Sequence, residues 1–504
     1  MSGGIFKVML LAALCLRCLS AGSEEPSGDG EEKWHKGIFR VNTDVSSGGE
    51  SISSVASKAN AAGMDFVVFS DQFLVECRYG VLPFRNILYR GISRHSIVSY
   101  GIEKYIQDIR NARTENPRMA LIVGADIAPR YYWTGNPFSG NLTCNQFSEQ
   151  LTVFGPEDPA FYRNMPVLHN EHVAFSMKSI VKGLPLLISL ASVLLWIRSR
   201  KAYYRDAQGN AYRRKGIAGK LVLTALFVGG MLWTIDNRPL REDFGFDQYS
   251  RQGVFPCQQS IDYVGRSPDG KTGIIWSAPE ATMKMSIGPV SLITIPYLDD
   301  IRACDGFTGM AGIYGDAYTA LRPGAEWDGM ILSYCKGTRK SRPVIVGELD
   351  YHGEGERRID VIQTVVRTKT LSPASVCAAL KKGASYAVTN DGNSQLELDH
   401  VSLSSGGSAV SLGGEIALNG PSQVEVSIKG GLDSKNTRPA PVASDVRMTI
   451  ICDGKIYSEK MVSSAGFEIA ESLEFNAPGR HYVRIMLDGD RGRLVTNPVY
   501  VVIE

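Results

Sequence analysis

The chain has 504 residues, a formal net charge of +2 and 44% hydrophobic residues. That length accommodates two or three domains with a large core, and the near-neutral charge, without any nucleic-acid motif, excludes a nucleic-acid-binding class on general grounds. Of the nine cysteines, Cys15 and Cys18 form a C-x-x-C pair inside an apolar N-terminal stretch; the other seven form none, and no Cys/His cluster has zinc spacing, which excludes a zinc-finger type of module.

Residues 1–22 carry Lys7, an apolar stretch at 8–16 and the small residues Ser20, Ala21 and Gly22, the layout of a secretory signal peptide. Cleavage would leave seven cysteines, an odd number. Cys304 with Cys335 is one pairing the sequence leaves open. Residues 23–33 are acidic with Gly and Pro and read as a linker.

The alternation Ile38-Phe39-Arg40-Val41-Asn42 predicts a half-buried strand. A Ser/Gly-rich turn follows at 43–50. Ile52, Val55, Ala56 and Ala59 then fall on one helical face, Gly63 stops the helix, and Phe66-Val67-Val68-Phe69 reads as a second strand ending in Ser70-Asp71-Gln72. Strand, helix and strand within about 35 residues form a βαβ unit with parallel strands. In barrels of such units, function sits at the C-terminal strand ends. Residues 96–115 predict a further helix, and residues 120–127 a strand ending in Asp126. Gln150 opens another apolar run at 151–154.

Two stretches, 179–197 and 217–235, are apolar apart from one lysine each near an end, Lys182 and Lys220. Each is about 28 Å long as a helix, close to the bilayer core. The loop between them holds Arg198, Arg200, Lys201, Arg205, Arg213, Arg214 and Lys215 against Asp206 alone. That excess predicts a cytoplasmic loop in a transmembrane hairpin. With an exported N-terminal part, both flanking segments then lie on the outer side. His169 and His172, just before the hairpin, are three apart; that spacing allows one helix face, although surface placement is the commoner outcome. The run 339–342 (Arg339, Lys340, Ser341, Arg342) reads as a solvated turn.

After the hairpin, 273–281 (GIIWSAPEA) and 344–353 (VIVGELDYHG) are strands with polar ends. Helices are predicted at 327–336 and 372–383, the latter with Pro373 in its first turn. From about 396 onward, short alternating runs such as 424–428 and 446–451 are separated by turn residues, including Asp453-Gly454. That pattern predicts an all-β sandwich.

The βαβ unit resembles the first motif of the PHP (polymerase and histidinol phosphatase) superfamily, which reads H-x-H-T-x-x-S-D-G, A-G-L-D, then T-D-H. Here the same frame reads Arg40-Val41-Asn42-Thr43, Ala62-Gly63-Met64-Asp65 and Ser70-Asp71-Gln72. Further matches are Asp126 at a G-x-E carboxylate position, Gln150 at an H-L-L-x-x-G histidine, Ala278 at the histidine of A-H-P, and Asp350 and His352 at S-D-x-H. The C-terminal β-domain resembles that of the CehA/McbA-like exported group. The resemblance implies an α/β fold: a distorted (β/α)7 barrel at 34–176 and 238–392, interrupted by the hairpin at 177–237, with the sandwich at 393–504. It also implies a cluster of zinc, manganese or iron that activates water against a phosphoester.

Arg40, Asn42, Gln72, Gln150 and Ala278 are poor or impossible ligands at the matched positions. Arg40 cannot lose its charge, so it would repel a cation and pair instead with Asp71, Asp126 or Asp350. The leading expectation is therefore a pseudoenzyme without a metal cofactor, serving as a binding or scaffold module on the outer face of a membrane. Its partners would be the membrane and proteins outside the cytoplasm, and not nucleic acid. The alternative is a divergent metal-dependent hydrolase of phosphoesters or related esters, with a reduced site of Asp71, Asp126, Asp350 and His352. A pocket for an anionic ligand, served by Arg40, is a third option.

Overall fold

The computed structural model describes residues 31–173, 177–198, 203–205, 208–209, 211–213, 217–242, 244–315, 318–353, 355, 357–391, 395–433, 444–490 and 492–504. The expected signal peptide and most of the expected linker lie outside the described residues. Lys33, assigned to that linker, already belongs to the first strand.

Seven strands position the site. They are β1 (Lys33–Val41), β2 (Phe66–Phe69), β3 (Gly124–Ile127), β4 (Leu151–Phe154), β5 (Gly273–Trp276), β6 (Gly309–Ile313) and β7 (Val344–Tyr351). Along the sheet the pairings run β2-β1-β7-β6-β5-β4-β3. All are parallel except that β4 is antiparallel to both neighbours. An isolated parallel bridge between Gln72 and Asp126 brings β3 back beside the chain leaving β2. The row of strands therefore returns on itself.

Strands such as β2 and β5 are buried along their whole length, as parallel strands covered on both faces must be. On one face Phe39, Phe66, Phe154, Ile275 and Val346 pack together, closed off by Val376 and Leu380 of the helix Pro373–Lys382. Ser372 caps that helix and Gly383 ends it in a left-handed conformation, φ 78°. Because side chains alternate along a strand, Glu348 shares the face of Val346 and Thr152 that of Phe154. A polar layer thus lies directly beyond the apolar floor.

The helix Ile52–Ala61 buries Ile52, Val55, Ala56 and Ala59 as its periodicity requires. The helix expected over 96–115 is two, Ile97–Tyr100 and Ile102–Glu115, divided at Gly101, whose φ of 107° no helix accepts.

The apolar stretch expected as a first span, 179–197, is likewise interrupted. Met177–Lys182 and Pro185–Arg198 are separate helices. Pro185 has no N–H to donate, and the chain crosses the gap by tight turns, with Leu186 N bonded to Gly183 O at 3.0 Å. Among the described helices, Ala218–Asn237 alone is long and apolar enough to cross a membrane, while Pro185–Arg198 is shorter. The two pack together: Ser189 Oγ donates to Phe227 O at 3.0 Å, and a Cβ at Gly230 would lie 2.5 Å from that Oγ. Their other faces expose Leu187, Leu194, Leu221 and Val222. Between them the described residues form a small antiparallel pair, Tyr203–Arg205 with Ala211–Arg213; much of the basic loop lies outside the described residues.

In the C-terminal part, a sheet containing Leu396–Ser405, Ser422–Leu432 and Phe467–Phe475 faces a second sheet containing Asp445–Cys452, Gly479–Gly489, Gly492–Thr496 and Val499–Ile503. Val424, Val426, Ile428, Ile450, Ile485 and Leu487 fill the space between. Asp453 and Gly454 both have positive φ, as a two-residue hairpin turn of matching twist requires. The second sheet is continuous with β1 through Ile362–Thr368, Ser385–Thr389 and Gly492–Thr496. The two parts therefore share one sheet.

Candidate functional site

The site begins with a bulge. At Arg40 the register of β1 slips against both β2 and β7, and Arg40 has φ 66°. The extra residue lets Ile38 and Val41, three apart, enter the same apolar cluster. It also turns the Arg40 guanidinium into the polar layer, where only 6% of the residue is exposed.

Arg40 there holds four partners. Its Nε donates to Asp126 Oδ2 at 2.7 Å and its Nη1 to Glu348 Oε1 at 2.5 Å. Its Nη2 donates to Gln150 Oε1, and Asp350 Oδ1 lies 3.4 Å from Nη1. The other Asp126 oxygen accepts from Thr152 Oγ1 at 2.5 Å, and that hydroxyl contacts Ser277 Oγ at 2.7 Å. A fixed, planar donor fork suits such a ring of oxygens.

Asp71 stands apart from Arg40, contrary to one expectation. Its carboxylate accepts from Thr43 N at 2.7 Å, Thr43 Oγ1 at 2.8 Å and Ser46 Oγ at 2.6 Å. It thereby fastens the loop after β1. Gly48 completes that loop, because a Cβ there would lie 2.4 Å from Asn42 O. Asn42 is buried, and its Oδ1 takes a long contact from Ser46 Oγ, 3.5 Å. Gln72 contributes the backbone bridge to Asp126. His352 bridges Asp350 Oδ1 through Nε2 at 3.2 Å and Ser47 Oγ through Nδ1 at 3.1 Å. Ala278 follows β5 with φ 40°, and Asp350 has φ 52°.

The electrostatics follow from one cation among three carboxylates. Burial opposes the charge on Arg40, but Asp126, Asp350 and Glu348 outweigh it and hold the guanidinium protonated. Burial also opposes charge at Asp350, yet Arg40, His352 and Arg357 hold its carboxyl well below the usual range. Glu348 goes the other way: burial, with Asp350 and Asp126 beside it, outweighs Arg40 and pushes it up to about 7. Its Oε2 is buried with no hydrogen-bond partner among the described residues, so no donor there offsets the burial. Burial likewise raises Asp71 to about 6.

A pH prediction follows for Glu348. An unfolded glutamate loses its proton near pH 4.3, whereas the folded one keeps it to about 7. The folded state then binds more protons between these values, so stability falls as pH rises from about 4 to 7. Glu348→Gln mimics the neutral acid and should remove on the order of 2 kcal/mol of that decline. Thermal melts of both proteins at pH 5 and pH 8 check this.

These side chains do not fit a metal cluster. Arg40 lies among the oxygens that would bind the ion, both Asp126 oxygens are committed to donors, and Ala278 has no ligand atom. Among the described residues no group of three or more His, Cys, Asp or Glu has the placement to hold a metal. The ligand set of the alternative reading, Asp71, Asp126, Asp350 and His352, is therefore not such a group.

Sequence reasoning missed Glu348. Its signal was available: it lies two residues before Asp350, on the same face of β7. A second buried cluster was also missed. Arg130 donates to both oxygens of Glu149, at 3.0 and 3.2 Å, and to Asp300 Oδ2 at 2.6 Å. His169 is not on a helix; its Nε2 contacts Tyr131 OH at 2.6 Å, and His172 lies in a short strand. The expected solvated turn at 339–342 is tied down instead: Arg339 is buried over Phe307, and Arg342 pairs with Glu415. Cys304 and Cys335 are both thiols.

No family model and no curated protein matches the chain. Solved structures give loose likenesses. A two-domain protein from Bacteroides vulgatus containing a predicted PHP-like metal-dependent phosphoesterase is 11% identical, with 93% of this chain and 95% of that one covered and a TM-score of 0.32. A protein from Bifidobacterium adolescentis described as a candidate metal-dependent phosphoesterase is 11% identical over 64% of this chain and 88% of that one, with a TM-score of 0.26. A CARDB domain from Pyrococcus furiosus is 14% identical over 22% of this chain and 98% of that one, with a TM-score of 0.15. The superpositions are loose enough that nothing about the chemistry of this chain follows from them.

Proposed function

We propose that this chain is a membrane-tethered pseudoenzyme built on a distorted (β/α)7 barrel of the PHP type, of the CehA/McbA-like exported group. It acts as a binding or scaffold module on the outer face of the membrane. The observation that carries this reading is the position of Arg40, whose guanidinium takes the place of a metal's positive charge among Asp126, Glu348 and Asp350.

A second feature supports descent from a working site. Arg40, Ala278 and Asp350 all have positive φ, which costs a residue with a Cβ on the order of 1–3 kcal/mol. Each of the three stands at a position that matches a ligand of the resembled family. The broken apolar segment Met177–Arg198, in which Pro185–Arg198 alone is too short to cross, and the helix Ile217–Asn237 together form the tether, with the basic loop 198–216 in the cytoplasm and both folded parts outside. The partners are the membrane and a protein outside the cytoplasm.

The test is a phosphoesterase assay. The purified chain, supplied with zinc or manganese, should hydrolyse a chromogenic phosphodiester no faster than its Asp350→Asn and His352→Ala variants. Turnover lost in both variants would instead establish the divergent hydrolase.

A further inference from the structure

We infer that the tip of a β-hairpin beside the tether inserts into the outer membrane–water interface, giving the protein a second contact with lipid. The hairpin consists of Glu76–Gly80 and Tyr89–Ser93, paired from Glu76↔Ser93 to Gly80↔Tyr89. Its tip, residues 81–88, reads VLPFRNIL. A solvated turn carries Gly, Asn, Asp or Ser for reasons of backbone geometry. This one carries aliphatic side chains, and they point outward: Leu82 is 68% exposed, Leu88 53% and Val81 45%. Contiguous exposed apolar surface of this kind marks a binding surface.

What covers it follows from where it is fastened. Asp236, in the last turn of the helix Ile217–Asn237, accepts from Asn86 N at 2.7 Å and from Ile87 N at 3.2 Å. Asn86 Nδ2 also donates to Asp236 O at 2.9 Å. Asp236 is only 8% exposed, so the tip and the helix end form one joint. Trp233, one turn earlier on that helix, is 52% exposed, at the level where an indole favours the interface. A tip bonded to the end of a membrane span lies at the same depth as that end. The exposed Arg90 and Arg94 near its base then meet the headgroup layer, where anionic lipid attracts them.

The inference rests on the membrane tether proposed above, and the test separates the two. Benzoylphenylalanine is placed singly at Leu82, at Val222 on the exposed side of the spanning helix, and at Tyr457 on the exposed surface of the β-sandwich. Each full-length protein is reconstituted in phosphatidylcholine–phosphatidylglycerol vesicles, irradiated, and read for lipid adducts by mass spectrometry. Adducts at 82 as abundant as those at 222, with none at 457, are expected. Adducts at 222 without adducts at 82 would overturn the inserted tip and leave the tether standing. Absence at both would overturn the tether and the tip with it. Attachment from 82 to a second protein chain in place of lipid would reassign the surface to a protein partner.

Discussion

Arg40→Met should destabilise the protein by about 3–5 kcal/mol, the cost of leaving buried carboxylates without their cation. Arg40 is the only cation within hydrogen-bonding distance of Asp126 and Glu348 among the described ion pairs, and neither carboxylate reaches bulk water. Methionine fills similar volume, so packing loss contributes little by comparison. Adding Asp126→Asn and Glu348→Gln to Arg40→Met should recover a large part of the loss, since neutral amides need no counter-charge. Such residues share one network, so their effects are not additive. Thermal melts of the parent, single and triple variants in the same detergent check this. A triple variant as unstable as the single one would mean that Arg40 acts through packing alone.

The second large effect is expected where the barrel side meets the sandwich. Arg484, on the strand Gly479–Gly489, donates Nε to Asp328 Oδ1 at 2.7 Å and Nη2 to Asp328 Oδ2 at 2.8 Å. Both side chains are fully buried. Nη2 also donates to Leu321 O at 2.9 Å, and the guanidinium lies 4.9 Å from the centre of the Trp327 ring. Arg484→Met strands the Asp328 carboxylate and should cost about 3–5 kcal/mol. Arg484→Lys should recover little of it, because an ammonium cannot span both oxygens or stack on the indole. Limited proteolysis of each variant, cut first near the junction of the two parts, reports the loosening.

The legible features of the sequence were those with short-range causes. The short run at 38–42 marked β1, although its residues 37–41 are buried throughout and not on one face only; apolar runs marked β2 and β7, helical spacing marked Ile52–Ala61, Pro373 marked the start of Pro373–Lys382, and Asp453-Gly454 marked its hairpin turn. Arg40 was legible as an anomaly, since a permanent cation in a frame of carboxylates must pair with them. Its partners were legible only in part. Glu348 was overlooked, although it lies two residues before Asp350 on β7, and Asp71 is taken up by Thr43 and Ser46, through a loop geometry that no spacing reveals.

The breaks at Gly101 and Pro185 were visible as residues, but apolar periodicity ran through both and masked them. The Arg130–Glu149–Asp300 and Arg484–Asp328 clusters were out of reach, because each joins residues more than a hundred positions apart. Burial of an ion pair is a tertiary fact, decided by which strands become neighbours.

Metal content is the most direct test of Arg40 as the cation of this site. The chain would be purified without chelator, supplied with zinc, manganese and iron, desalted, and measured by inductively coupled plasma mass spectrometry, alongside Arg40→His and the triple replacement Arg40→His, Gln150→His, Ala278→His. The account predicts substoichiometric metal in the parent and a gain in the triple variant, where imidazoles replace the guanidinium and its neighbours. One or more equivalents of tightly held metal in the parent, lost on Asp350→Asn, would contradict it.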